Sequence, residues 1–141
     1  MPLYSPAPTA ASIGLTTHES DTTSVHGFTD TAATLASLST VVANRQTDSY
    51  TLALTDAAKA VEMNKATANN LTVPQNSSVA FPVDTVVEVF QYGAGQTTFV
   101  ADTNVTIRSS GGKLKLTGQY SGASLRKIAT NEWALVGDIA T

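Results

Sequence analysis

Apolar positions are distributed along the chain in two ways, and the change falls near Tyr50. From Tyr50 onward, short runs of branched and aromatic residues alternate with Gly, Asn and Asp. Tyr50–Leu54, Ala60–Met63, Leu71–Val73, Val86–Tyr92, Thr97–Ala101, Val105–Arg108, Lys113–Leu116, Ser124–Ile128 and Glu132–Val136 all read as strands. The strongest is Val-Val-Glu-Val-Phe-Gln-Tyr, because branched and aromatic side chains suit a pleated, half-buried surface. Gln75–Ser78 reads as a turn, as does Gly93-Ala94-Gly95; Gly111-Gly112 marks a tight hairpin, and Thr130-Asn131 joins the last two strands. Asp56–Lys59 has room for one helical turn. Turn signals every eight to twelve residues predict an all-β fold, a compact antiparallel β-sandwich or barrel over residues 50–141. Its expected core is Val87, Val89, Phe90, Leu114, Leu116, Trp133 and Leu135.

Residues 1–49 follow another pattern. Large apolar side chains are sparse: Leu3, Tyr4, Ile13, Leu15, Val25 and Phe28, then a cluster from Leu35 to Val42. That is too little to close a core, so the segment reads as an extended N-terminal arm whose apolar residues contact a partner. A short helix is expected within it over 31–44. Asp30 is its N-cap, and Leu35, Leu38 and Val42 share one face. Phe28, Leu35 and Val42 are also seven apart, which suits a short oligomer seam as well as packing on the chain's own domain.

Composition sharpens this division. Charged residues make up only 13% of the 141 residues, with 8 basic against 11 acidic, while Thr and Ser number 22 and 13. Low charge points to a surface that meets other protein. The net charge of −3 argues against a nucleic-acid-binding face. With no cysteine there are no disulfides and no thiolate chemistry. Met1–Pro8 carries three prolines and lacks the basic start of a signal peptide. No apolar run approaches the roughly 18 residues of a membrane-spanning helix.

Motifs that carry chemistry are few. His18-Glu19 begins a zincin-like motif, but Thr22 stands where the second His is needed. His18 and His26 could hold a metal only across a symmetric oligomer; otherwise they are loop hydrogen-bonders. There is no Gly-x-Ser-x-Gly, and no His after residue 49 to complete a triad. Asp56, Glu62, Asp84, Glu88, Asp102, Glu132 and Asp138 offer carboxylates, any two of which could approach as a glycosidase pair, but a 92-residue β domain offers little room for a substrate cleft. Gly93-Ala94-Gly95-Gln96 leads into a strand, so it is a turn and not a dinucleotide fingerprint. Arg108, Lys113, Lys115, Arg126 and Lys127 form either a small basic patch or a solvated face. Trp133 beside Leu135 reads as core, with a sugar-stacking platform as the alternative. Gln91-Tyr92-Gly93 is echoed 28 residues on by Gln119-Tyr120-Ser121-Gly122, which reads as a repeated hairpin geometry. No catalytic, cofactor or metal residue is assigned.

Three stretches carry a resemblance. Thr17-His18-Glu19-Ser20-Asp21-Thr22-Thr23-Ser24-Val25-His26-Gly27-Phe28-Thr29-Asp30-Thr31 resembles a linker of fibre and minor structural proteins of tailed bacteriophages. Phe81-Pro82-Val83, Gln91–Gln96 and Asn104-Val105-Thr106-Ile107 resemble phage fibre domains. So does the ending, from Lys113-Leu114-Lys115-Leu116 through Glu132–Asp138. Together they cover about two thirds of the chain and are specific to phage virion proteins as a group. Asp84 and Asp102 depart from the pattern, which has Gly before Thr; Asp tolerates left-handed backbone, so the turns survive. The resemblance implies a non-enzymatic virion protein without cofactors, a homotrimer on the outer surface of the particle and made in the host cytoplasm. A capsid decoration or head-fibre protein, anchored through its arm to the major capsid protein, is the first expectation. A tail fibre or minor tail protein, binding other tail proteins and a host surface glycan, is the alternative. An exposed Tyr92 or Tyr120 would favour the second. Neither expectation involves nucleic acid or membrane.

Overall fold

A computed structural model describes residues 41–141. The proposed arm contacts Leu3, Tyr4, Ile13, Leu15, Val25 and Phe28, the seam residues Leu35 and Leu38, and both histidines lie outside the described residues.

The described chain is predominantly β, in two sheets. The first sheet has the order β1 (Ala43–Gln46), β3 (Ala60–Met63), β5 (Val86–Gln91), β9 (Gly122–Ala129), β10 (Glu132–Gly137), β7 (Thr106–Ser109). The second has the order β11 (Ile139–Ala140), β8 (Lys115–Leu116), β6 (Thr97–Ala101), β4 (Asn69–Val73), β2 (Tyr50–Thr51). Short 3-10 turns lie at Leu54–Asp56 and Ser110–Gly112.

The antiparallel expectation is corrected by the pairing. β1, β3 and β5 are parallel neighbours, as are β2, β4 and β6, and β7 runs parallel to β10. Parallel neighbours need a crossover, which is usually a helix. Here a strand of the other sheet serves, because the chain alternates between sheets from β1 to β9. It therefore advances as a coil of stacked turns. Two of these turns repeat at 28 residues: Val61 pairs with Val89 and Leu71 with Phe99. Gly93-Ala94-Gly95 and Gly111-Gly112 are accordingly passages between sheets rather than hairpin turns. Only past β6 does the pairing reverse. β9 runs antiparallel to β5 and forms a true hairpin with β10, and β8 runs antiparallel to β6 and β11.

The expected helix over 31–44 is corrected at its described end. Ala43 and Asn44 belong to β1, where Ala43 pairs with Ala60, and the Val42 carbonyl accepts from the Ala60 N–H at 3.4 Å. β1 eluded the sequence reading because Ala-Asn-Arg-Gln holds no large apolar residue. Asn44 is anchored by polar contacts instead. Its Nδ2 donates to the buried Asp56 carboxylate (2.7 Å), which also accepts from the Tyr50 hydroxyl (2.9 Å) and the Ala53 N–H (2.8 Å).

Both sheets contribute to one core. Val61, Met63, Val87, Val89, Leu125, Trp133 and Leu135 come from the first; Leu71, Val73, Phe99 and Leu116 come from the second. Leu114 is half-buried against that core. Phe90 is the exception among the expected core residues. Successive side chains alternate across a sheet, so Val87, Val89 and Gln91 point inward and Phe90 outward. Trp133 is 1% exposed and meets Phe81 edge-to-face at 5.4 Å, which makes it core and not a platform.

Interior polar groups tie consecutive coil turns at one corner. Asn69 Nδ2 donates to the carbonyls of Thr67 and Gly95, its Oδ1 accepts from the Thr97 hydroxyl at 2.8 Å, and Gln91 Oε1 accepts from the Thr97 N–H. The corner is so tight that a Cβ on Gly93 would lie 2.3 Å from the Lys65 carbonyl oxygen, and one on Gly95 1.9 Å from that of Thr67. Both contacts repeat the 28-residue offset.

Candidate functional site

The outward row that contains Phe90 leads to the candidate site. Register aligns Arg45 on β1, Glu62 on β3 and Phe90 on β5, side by side on the solvent face of the first sheet. Arg45 Nε donates to Glu62 Oε2 at 2.7 Å. One step further along the same strands stand Asn64 and Tyr92. Tyr120 joins them from the loop before β9, where its N–H donates to the Gln91 carbonyl at 2.7 Å and Gln119 Nε2 donates to the Tyr92 carbonyl at 3.1 Å. The two Gln-Tyr copies are thus neighbours in space. They form one cluster rather than two hairpins.

The resulting aromatic surface is open. Tyr92 is 50% and Tyr120 65% exposed. Their rings stand nearly perpendicular (88°) at 6.1 Å, and Phe90 lies 6.5 and 6.4 Å from them. Beside the rings a pocket of about 240 Å³ is lined by Arg45, Glu62, Asn64 and Tyr92. Tyr120 has φ = 68°, a left-handed conformation that a bulky residue adopts at a cost of about 1–3 kcal/mol, and such strain concentrates at binding sites.

The other sequence candidates do not converge into a site. No basic patch forms from the five late cations: Arg126 pairs with Asp84 (2.6 Å), Arg108 pairs with Glu132, and Lys127 is buried. Lys113 is exposed in the loop before β8, and Lys115 is half-buried in it. Among the described residues no three His, Asp or Glu side chains group as metal ligands. Glu88 accepts from the Ser124 hydroxyl and Asp102 from the Thr103 N–H. Lys127 Nζ donates to the Asn76 Oδ1 and the Phe81 carbonyl, and burial lowers its pKa. The Asp84 departure from Gly is accommodated as expected, with φ = 69°, whereas in the second loop Asn104 (φ = 63°), not Asp102, takes the left-handed position.

Sequence reasoning named Tyr92 and Tyr120 but missed Arg45, Glu62 and Asn64 as their neighbours. Only the parallel register brings residues from three coil turns together. Compared with family models, curated proteins and solved structures, the chain matches none.

Proposed function

We propose that the chain is a non-enzymatic structural protein of a tailed-bacteriophage particle, a trimeric capsid decoration or head-fibre protein. In this reading the two sheets form a sandwich displayed on the outer surface, and the chain before β1 anchors it to the major capsid protein. The observation that carries the reading is the contrast within the chain. Residues after Tyr50 supply an apolar core from both sheets, while the first 27 residues offer, beyond Met1, only Leu3, Tyr4, Ile13, Leu15 and Val25 as large apolar groups. Ordering such a segment costs on the order of 1–2 kcal/mol per residue, which contacts with a large partner surface can offset. The phage-like stretches in both parts support the particle assignment.

Deleting residues 2–27 tests it: the expected result is a folded β domain that no longer incorporates into particles. Full incorporation of the deletion variant would overturn the anchoring role. Sedimentation equilibrium of the free protein, together with subunit counting on the particle, tests the trimer; a monomer in both settings would refute it.

A second reading, a tail fibre or minor tail protein that contacts a host surface, is favoured by one observation: the open Tyr92–Tyr120 cluster with its polar pocket. A host-binding assay with the Tyr92→Ala protein separates the two readings.

A further inference from the structure

We infer that the Tyr92–Tyr120 surface with the Arg45–Glu62–Asn64 pocket is a binding subsite for a single neutral sugar ring. The inference deepens the second reading above by naming a site and a ligand class. Its failure would leave the arm-anchored decoration reading standing.

Four features of the surface fit that ligand. A pyranose has one face of C–H groups and a rim of hydroxyls, so it needs a flat apolar surface beside closely spaced donors and acceptors. The Tyr92 and Tyr120 rings supply two such surfaces, set at 88° to one another, so a ring lying on one can rest an edge on the other. Arg45, Glu62 and Asn64 supply the polar side: a guanidinium with several N–H donors, a carboxylate acceptor and an amide that does both. Vicinal hydroxyls bridge such planar groups as bidentate partners.

The charge selects among ligands. Arg45 and Glu62 pair at 2.7 Å, so the pocket presents one charge of each sign and no net charge. A phosphate or an acidic sugar would gain from Arg45 and lose to Glu62, whereas a neutral polyol meets both without penalty. The size limits length: about 240 Å³ lies below the roughly 300–1,000 Å³ of pockets for drug-sized ligands, so it holds one ring rather than a chain.

The backbone is set for the same purpose. The strained Tyr120 is held by the Gln91 carbonyl, and Gln119 is tied to the Tyr92 carbonyl. These bonds hold side by side the two backbone segments that carry the rings, and pre-ordering of this kind reduces the entropy lost on binding.

The test is a titration of the 15N-labelled full chain with methyl α-glucoside, methyl α-mannoside and methyl β-galactoside, followed by amide shifts. At least one probe should give saturable shifts concentrated at Arg45, Asn64, Tyr92 and Tyr120. Tyr92→Ala and Tyr120→Ala should each weaken that binding by at least about tenfold. Tyr92→Phe, which keeps the ring, should bind within a few-fold of wild type and shows that the loss comes from the stacking surface. Absence of a saturable shift with all three probes, or unchanged binding by both alanine variants, would overturn the inference. Shifts at these residues that follow protein concentration and ignore sugar would also overturn it, assigning the surface to contact between copies.

Discussion

Gly95→Ala is the sharpest test of the stacked coil. The new Cβ would sit 1.9 Å from the Thr67 carbonyl oxygen and 2.2 Å from its carbon, both backbone atoms of the preceding turn. No rotamer relieves such a clash. The two turns must separate by more than an ångström, and that movement strains the Gly95 N–H to Lys65 carbonyl bond (2.9 Å) and the Asn69 bond to the Gly95 carbonyl (3.2 Å). Overpacking of this kind costs about 1–3 kcal/mol, and a buried polar group left unpaired costs about 1–3 kcal/mol more. A loss of about 2–6 kcal/mol is therefore expected. For a domain of this size each kcal/mol moves the melting temperature by about 4–8 °C, so thermal denaturation followed by circular dichroism should show a drop of at least about 8 °C. Gly118→Ala is the control: nothing lies within 4 Å of its added Cβ, and the expected change is within about 1 kcal/mol of wild type. If Gly95→Ala melts within about 1 kcal/mol of wild type, the 28-residue stacking of Thr67 on Gly95 is wrong.

Trp133→Ala should cost about 3–5 kcal/mol by denaturant titration, because the indole is buried and loses its edge contact with Phe81. Ala58 is exposed with φ = 58°, so Ala58→Gly should raise stability by about 0.5–1 kcal/mol, the relieved left-handed strain less the added freedom of the unfolded chain. The buried Lys127 gives a pH signature. Its folded pKa lies below the 10.5 of a free lysine, so between the two values the unfolded chain holds a proton that the folded chain has lost, and stability rises with pH. Denaturant midpoints of wild type should therefore climb relative to those of Lys127→Met as pH goes from neutral towards 10.5. Burial and the Asp56 contact raise the Tyr50 pKa and act with the opposite sign above pH 10, but equally in both proteins, so the difference isolates the lysine.

Strand content was legible because it depends on local chemistry. Ala60–Met63 and Thr97–Ala101 were placed to the residue, and Val86–Gln91 to within one. Which strand pairs with which was not legible, because parallel register depends on positions 28 apart that share little chemistry. Between 60–73 and 88–101 only Val61/Val89 and Ala66/Ala94 are identical, and the conspicuous 28-residue echo of Gln-Tyr falls elsewhere. The glycines carried a usable signal. Gly93 and Gly95 lie two apart on either side of Ala94, where ordinary turn chemistry asks for one glycine; two are needed when another turn's backbone presses on both. Phe90 was misplaced by counting its apolarity ahead of the alternation that sets Val87 and Val89 inward. Arg45 was invisible as a site residue because β1 holds no large apolar residue and its first two residues read as the end of a helix.

The strand order also sets how this fold can change length. β1 and β2 stand at one edge of their sheets, β7 and β11 at the other, and the switch to antiparallel pairing comes only beyond β5 and β6. The antiparallel strands β9 and β8 occupy the free edges of β5 and β6, so no further parallel turn can stack directly on the last coil turn, and the C-terminal strands act as a terminator. Between β3–β4 and β5–β6 polarity is the same on both sides. A duplicated 28-residue segment inserted there would find parallel neighbours above and below, and each such segment would lengthen the body by about 4.8 Å, one strand spacing. Growth by internal duplication would leave both ends intact, so the height of the domain and the identity of its ends are separable properties of the sequence.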